Sequence, residues 1–193
     1  MNAKRLEAFS DGVMAIIITI MILEIKAPEG GNWEDLKPLI HKFTAYILSF
    51  IYVGIYWNNH HHLWQAVERV NGKILWANLH LLFWLSLFPF STAWMGEHYT
   101  SSIPVAVYGF ILFMASVAWY ILALLVIRVE GKESKVGQAY QRDIKTKISM
   151  LIYALATAIA LFQPLFSIVI YTLLAAFWFI PDKRIESKLA DKD

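Results

Sequence analysis

The chain has 193 residues, 58% of them hydrophobic and 17% charged, with a formal net charge of +2 and a positive mean hydropathy. That balance excludes an ordinary soluble domain and makes a membrane protein the first candidate. With no cysteine in the sequence, disulfide frameworks, thiolate metal sites and cysteine nucleophiles are excluded, and Lys and Arg fall in separate loops without the continuous basic face a nucleic acid would need.

A spanning helix requires roughly 20 mostly apolar residues, and six stretches qualify, at about 6–26, 38–64, 74–96, 103–127, 146–163 and 165–181. The first, with its run Phe9 to Ile25, is too long for a signal-peptide core and lacks a following small-residue cleavage site, so it reads as mature structure. In the 27–37 loop Pro28, Gly30 and Gly31 are turn residues, while Glu29, Glu34 and Asp35 make an acidic entrance that attracts cations. The polar segment from Arg128 to Lys147 is a linker of cytoplasmic type. The last two stretches are separated by Gln163 and Pro164. They read as a tight helical hairpin, with a single kinked span as the lesser alternative.

Six spans place the N-terminus, the 65–73 turn, the 128–147 linker and the C-terminal tail on one side. That side carries 14 Lys and Arg, against Lys26, Lys37 and Lys42 on the other. The positive-inside rule then puts both termini in the cytoplasm. Eight Trp, nine Tyr and twelve Phe suit helices that pack in lipid and anchor at its interfaces.

The first helix carries the unusual chemistry. Asp11 lies inside the apolar stretch, where an ionisable group is costly unless paired and marks a functional candidate. Two roles stay open: bracing helices together through polar partners, or handling an ion directly. At about 100° per residue, Ile16, Thr19, Ile20 and Leu23 fall within one stripe about 100° wide, with Ser10 and Asp11 pointing elsewhere. Periodicity alone does not distinguish a pore surface from a lipid-facing one. Trp57, Asn58, His60, His61 and His62 in the second stretch, with Asn78 and His80 in the third, are partners for the polar pair. Three consecutive histidines on a helix project about 100° apart and do not converge on one metal. One or two of them are expected to hydrogen-bond across helices to Ser10 or Asp11, satisfying groups that lipid cannot.

The string Arg5-x-x-x-Phe9-Ser10-Asp11-Gly12-Val13-Met14-Ala15-Ile16-Ile17-Ile18-Thr19, continuing to Leu23-Glu24-Ile25, resembles the first helix of the transmembrane protein 175 family of endosomal and lysosomal potassium channels and their small bacterial relatives. Tyr56-Trp57-x-x-His60-His61-x-Leu63 resembles the end of that family's second helix, and Asn78-Leu79 followed by Pro89-Phe90 its third, so the likeness covers essentially the whole chain. It implies an all-α membrane protein with one six-helix domain over 1–193, similar to the bacterial single-repeat form, which assembles as a homotetramer. By the resemblance, four copies of the first helix line a pore in the bacterial plasma membrane. Ile16 supplies the narrowest ring, Ile20 and Leu23 lie outside it, and Thr19 contributes hydroxyls. Arg5, Phe9, Ser10, Asp11, Trp57, His60, His61 and Asn78 form the supporting polar network. Potassium is then the permeant ion, monovalent cations and the bilayer are the partners, and no cofactor, bound metal or enzymatic activity is expected.

A narrow apolar ring makes a cation shed water. Potassium holds its water less tightly than sodium, so moderate potassium selectivity follows, and Thr19 hydroxyls partly replace the lost shell. Arg5, near the same stripe, is expected to be neutralised by Glu7 or Asp11 or to lie where the pore widens. A proton- or ion-coupled transporter is the alternative, although the first helix has no Gly or Pro between Val13 and Lys26 to break it.

Overall fold

An apolar chain in a bilayer must satisfy its backbone N–H and C=O groups internally, and helices do so over most of the described residues of this one. A computed structural model of the chain describes residues 3–67, 69–140 and 144–179. Its helices are α1 (Ala3–Leu23), α2 (Ile40–Gln65), α3 (Gly72–Ser86), α4 (Phe88–Glu97), α5 (Ser102–Glu130), α6 (Lys135–Tyr140), α7 (Ile144–Ala160) and α8 (Pro164–Phe179), with a 3-10 turn over Trp33–Leu39 leading into α2. Among the described residues there is no strand. Four helical segments are long and apolar enough to cross a membrane: Ala3–Leu23, Trp33–Gln65, Gly72–Glu97 and Ser102–Glu130. The chain is an integral membrane protein.

The stretch expected over 74–96 is two helical pieces. Pro89 has no N–H, so the carbonyl of Leu85 loses its helical donor and the ladder breaks. At the break Leu87 N donates to Trp84 O at 3.3 Å, and Ser91 N then donates to Leu87 O at 3.1 Å as the helix restarts. The polar segment expected over 128–147 is shorter than its sequence suggested. Helix α5 runs on to Glu130 and ends at Gly131, whose φ of 97° suits glycine, and α7 begins at Ile144. The Glu130 carboxylate accepts the backbone N–H of Arg69 at 2.8 Å, tying the α2–α3 turn to the end of α5.

Helix α5, apolar on nearly all sides, forms the centre, with α3, α4, α7 and α8 packed around it. At Gly109 the side chains of Tyr171 on α8 and Thr157 on α7 occupy the space where a Cβ would stand. The chain turns at Leu161–Gln163, and Pro164 opens α8 at the helix start, where its missing N–H is harmless. Helices α7 and α8 are therefore separate and packed on each other, joined by Ser167 Oγ donating to Ala156 O at 2.8 Å and Trp178 Nε1 donating to Ser149 Oγ at 2.9 Å. Outside the helices, the backbone N–H of Asn32 donates to Asp35 Oδ2 at 2.9 Å, and Gly30 leaves room for that carboxylate.

Candidate functional site

Helix α1 packs against α2, α3 and α4 along one side only. Its buried residues, Ala3, Leu6, Ser10, Met14, Ile17 and Met21, recur every three or four positions, the spacing that puts them on one face. The opposite face is open and mostly bulky: Phe9, Ile16, Ile20 and Leu23 are 53%, 58%, 41% and 76% exposed, and Arg5, Gly12 and Thr19 are exposed beside them. The four stripe residues of the sequence analysis thus stand together on the unpacked side. Between α1 and α4 runs a groove of about 820 Å³, walled by Val13, Ile16, Ile20, Phe90 and Trp94, with Glu24 and Glu97 at one end.

The buried face is fixed to its neighbours by hydrogen bonds. Ser10 Oγ donates to Leu6 O at 2.9 Å within α1 and accepts from Asn78 Nδ2 at 2.9 Å. Asn78 Oδ1 lies 2.8 Å from His60 Nε2, which is also 2.7 Å from the indole Nε1 of Trp64. Carrying the proton, Nε2 donates to Asn78; bare, it accepts from Trp64. Ser10, His60 and Asn78 are fully buried, so this chain joins α1, α2 and α3 where water does not reach. A histidine is expected to bond Ser10 or Asp11 directly; His60 instead stands one link from Ser10, with the shorter amide of Asn78 between them.

The neighbouring histidines diverge. His61 Nδ1 meets Glu7 Oε1 at 2.8 Å and its Nε2 meets the Gln65 amide at 2.8 Å. A neutral ring satisfies both by donating from Nδ1 and accepting at Nε2. Trp57 stacks on His61 with centroids 5.9 Å apart. Glu7, one of the two carboxylates expected to neutralise Arg5, is therefore engaged by His61 instead. Among the described residues, no group of three or more His, Asp or Glu is arranged to hold a metal.

Asp11, next to Ser10 on α1, is half-buried, yet its Oδ1 is occluded with no hydrogen-bond partner among the described residues. Thr19 Oγ1 donates backwards, to Ile16 O at 3.0 Å and Ala15 O at 3.2 Å. Its hydrogen is occupied by its own helix, leaving the oxygen lone pairs for the open side.

Contacts toward the other end of α1 lie outside the sequence analysis. Thr92 on α4 donates to Ser49 Oγ on α2 at 2.7 Å, Ser49 Oγ lies 2.9 Å from the Tyr108 hydroxyl on α5, and Thr92 Oγ1 stands 3.9 Å from the Met21 sulfur. The signal available for them was the paired spacing Ala45-x-x-x-Ser49 and Thr92-x-x-x-Gly96, since small residues four apart let helices approach closely.

A family model described as endosomal/lysosomal potassium channel TMEM175 matches residues 5–89. The chain is 56% identical over 191 residues, covering 99% of its length and all of the relative's, to a protein named potassium channel from Chryseobacterium sp. (strain P1-3). It is 27% identical over 198 residues to a zebrafish (Danio rerio) protein named endosomal/lysosomal proton channel TMEM175, of which the match spans 36%. Its fold superposes on a crystal structure of a lysosomal potassium-selective channel TMEM175 homolog from Chamaesiphon minutus with a TM-score of 0.82. That match covers 92% of this chain and 96% of the other at 26% identity.

Proposed function

The chain belongs to the endosomal/lysosomal potassium channel TMEM175 family, and from that premise we propose that it is one subunit of a homotetrameric potassium channel whose pore is walled by α1. The observation that carries the reading is the division of α1 into two faces. Ser10, Met14, Ile17 and Met21 are buried against α2, α3 and α4, while Ile16, Thr19, Ile20 and Leu23 stand open. A helix held rigidly from behind with an ordered row of large residues in front is suited to meeting its own copies around an axis. Four copies form a closed cyclic assembly, and small exposed residues beside the row, Ala8, Gly12 and Ala15, permit a close approach of the next α1.

In this assembly Ile16 forms the narrow ring and Ile20 and Leu23 lie outside it. A ring of apolar side chains excludes water and imposes partial dehydration on any ion that passes, which favours potassium over sodium to a moderate degree. Helices α7 and α8, with 17 and 16 residues, complete the six spans; at about 1.5 Å per residue each is about 25 Å long, within the mismatch a bilayer accommodates. The excess of Lys and Arg on the side of the termini supports an orientation with both in the cytoplasm of a bacterial cell. Potassium is the permeant ion; the channel needs no cofactor and carries out no enzymatic reaction.

The test is the reversal potential of protein reconstituted in liposomes under opposed potassium and sodium gradients. A shift toward the potassium equilibrium value is expected. A potential that depends only on an imposed proton gradient overturns the reading in favour of proton-coupled transport.

A further inference from the structure

The inner end of α1 is pinned at Ser10 by Asn78, which lies on α3. Its outer end is cradled by other elements. Met21 is 1% exposed and rests against Thr92 on α4, and Thr92 is bonded to Ser49 on α2. Here α2 and α4 approach very closely: a Cβ at Gly96 would stand 3.1 Å from Lys42 Cα and 3.3 Å from Ala45 Cβ. One residue further on, Lys42 Nζ meets Glu97 Oε1 at 2.7 Å. The row Lys42, Ala45, Ser49 on α2 thus runs antiparallel against Glu97, Gly96, Thr92 on α4.

Between the two polar anchors, α1 touches its neighbours through Met14 and Ile17, which offer packing without hydrogen-bond direction. The helix ladder between Asn78 and Thr92 is itself interrupted at Leu87, ahead of Pro89. The two ends of α1 are accordingly held by two helical pieces joined at a break. Ile20 immediately precedes Met21 and Leu23 follows it by two positions, and both are exposed; any displacement of Met21 carries both.

We propose that Thr92 is a positioning residue for the outer rings: through Ser49 and Met21 it sets how far Ile20 and Leu23 project toward the axis, separately from the Ser10–Asn78 anchor at the inner end. The proposal rests on α1 being the pore wall. Thr92 itself touches no ion. Its hydroxyl fixes the α2–α4 spacing in which Met21 is seated, so the outer ring widens or narrows with that spacing while the inner end stays in place.

The sequence has no cysteine, so single cysteines replacing Leu23 or Phe9 accept spin labels without background. Distances between copies are then read by double electron–electron resonance in reconstituted protein. Thr92→Val, which keeps the branched shape and removes the hydroxyl, is expected to displace and broaden the Leu23 distribution and leave that of Phe9 unchanged. Ser49→Ala, removing the acceptor, is expected to do the same, and Thr92→Ser to restore the original distribution. Asn78→Ala should produce the converse, moving Phe9 and sparing Leu23. A Leu23 distribution insensitive to both Thr92→Val and Ser49→Ala, or labels at both ends moving together, overturns the proposal while leaving the pore reading intact. The absence of short distances between copies at Leu23 in the otherwise unsubstituted protein removes the pore reading and the positioning role with it.

Discussion

Asn78 stands between two helices and serves both: its amide nitrogen donates to Ser10 Oγ on α1 at 2.9 Å and its carbonyl oxygen lies 2.8 Å from His60 Nε2 on α2. Removing it takes a donor from Ser10 Oγ, which keeps only its bond to Leu6 O, and a partner from His60 Nε2, which keeps only Trp64 Nε1, and a buried group left short of a bond costs more than the bond it made. Asn78→Ala is expected to lower stability by about 1–2 kcal/mol, read as a lower melting temperature in detergent. The fraction that folds keeps its selectivity, since Asn78 faces away from the open side of α1.

Gly109 offers a test of the core that is independent of the pore. Tyr171 and Thr157 fill the position of its missing Cβ, so Gly109→Ala must push α8 or α7 away from α5. Overpacking of this kind is expected to destabilise by about 1–3 kcal/mol. Thermal unfolding followed by helical circular dichroism measures it; an unchanged transition would mean that Tyr171 moves aside freely.

The sequence made some of this legible and hid the rest for physical reasons. Leu6, Ser10, Met14, Ile17 and Met21 are readable as one face because helical spacing is fixed, and Ile16, Thr19, Ile20 and Leu23 as the other. The sequence could not say which face was packed, because in a membrane protein an Ile and Leu row suits lipid, protein or pore equally. The break at Leu87 was signalled by Pro89 but fell inside a stretch apolar enough to pass for one helix. The direct bond expected from a histidine to Ser10 or Asp11 is replaced by a link from His60 through Asn78 to Ser10, because spacing along a helix gives direction and not reach. Thr92, Ser49 and Met21 escaped notice because the spacings Ala45-x-x-x-Ser49 and Thr92-x-x-x-Gly96 mark a close helix approach without saying which helices meet.

Asp11 separates bracing within a subunit from bracing between subunits. Its Oδ1 is occluded and has no hydrogen-bond partner among the described residues, an expensive state for a carboxylate in a spanning helix, and Asp11 lies half-buried one helical turn from Ala8 and Ala15 on the face proposed to meet the next copy. Asp11→Ala is expected to reduce the tetramer fraction by chemical cross-linking while the helical content of the subunit is unchanged. Normal assembly with lost conduction would assign Asp11 to ion handling instead.

Ile16→Asn replaces the proposed apolar ring with amides that hydrate a passing ion, so dehydration no longer discriminates between cations. The potassium preference is expected to fall toward none, with sodium current rising and assembly intact, as read from reversal potentials in mixed gradients. Selectivity that survives the change would place the narrow ring at another position on α1.

Thr19 tests what remains of selectivity beyond an apolar ring. Its hydroxyl hydrogen is held by the carbonyls of Ala15 and Ile16, so toward the open side it presents oxygen lone pairs and not a donor. In the proposed tetramer four such oxygens, one turn from Ile16, would replace part of the water an ion loses, weakly compared with a ring of carbonyls. Thr19→Val keeps the shape and removes the oxygens. Its expected effect is a loss of potassium selectivity smaller than that of Ile16→Asn, together with a lower potassium conductance, and Thr19→Ser should retain both properties. The direction of the change decides the role: a rise in selectivity in the valine variant would show that the hydroxyls serve sodium better than potassium and that discrimination resides in the apolar ring alone.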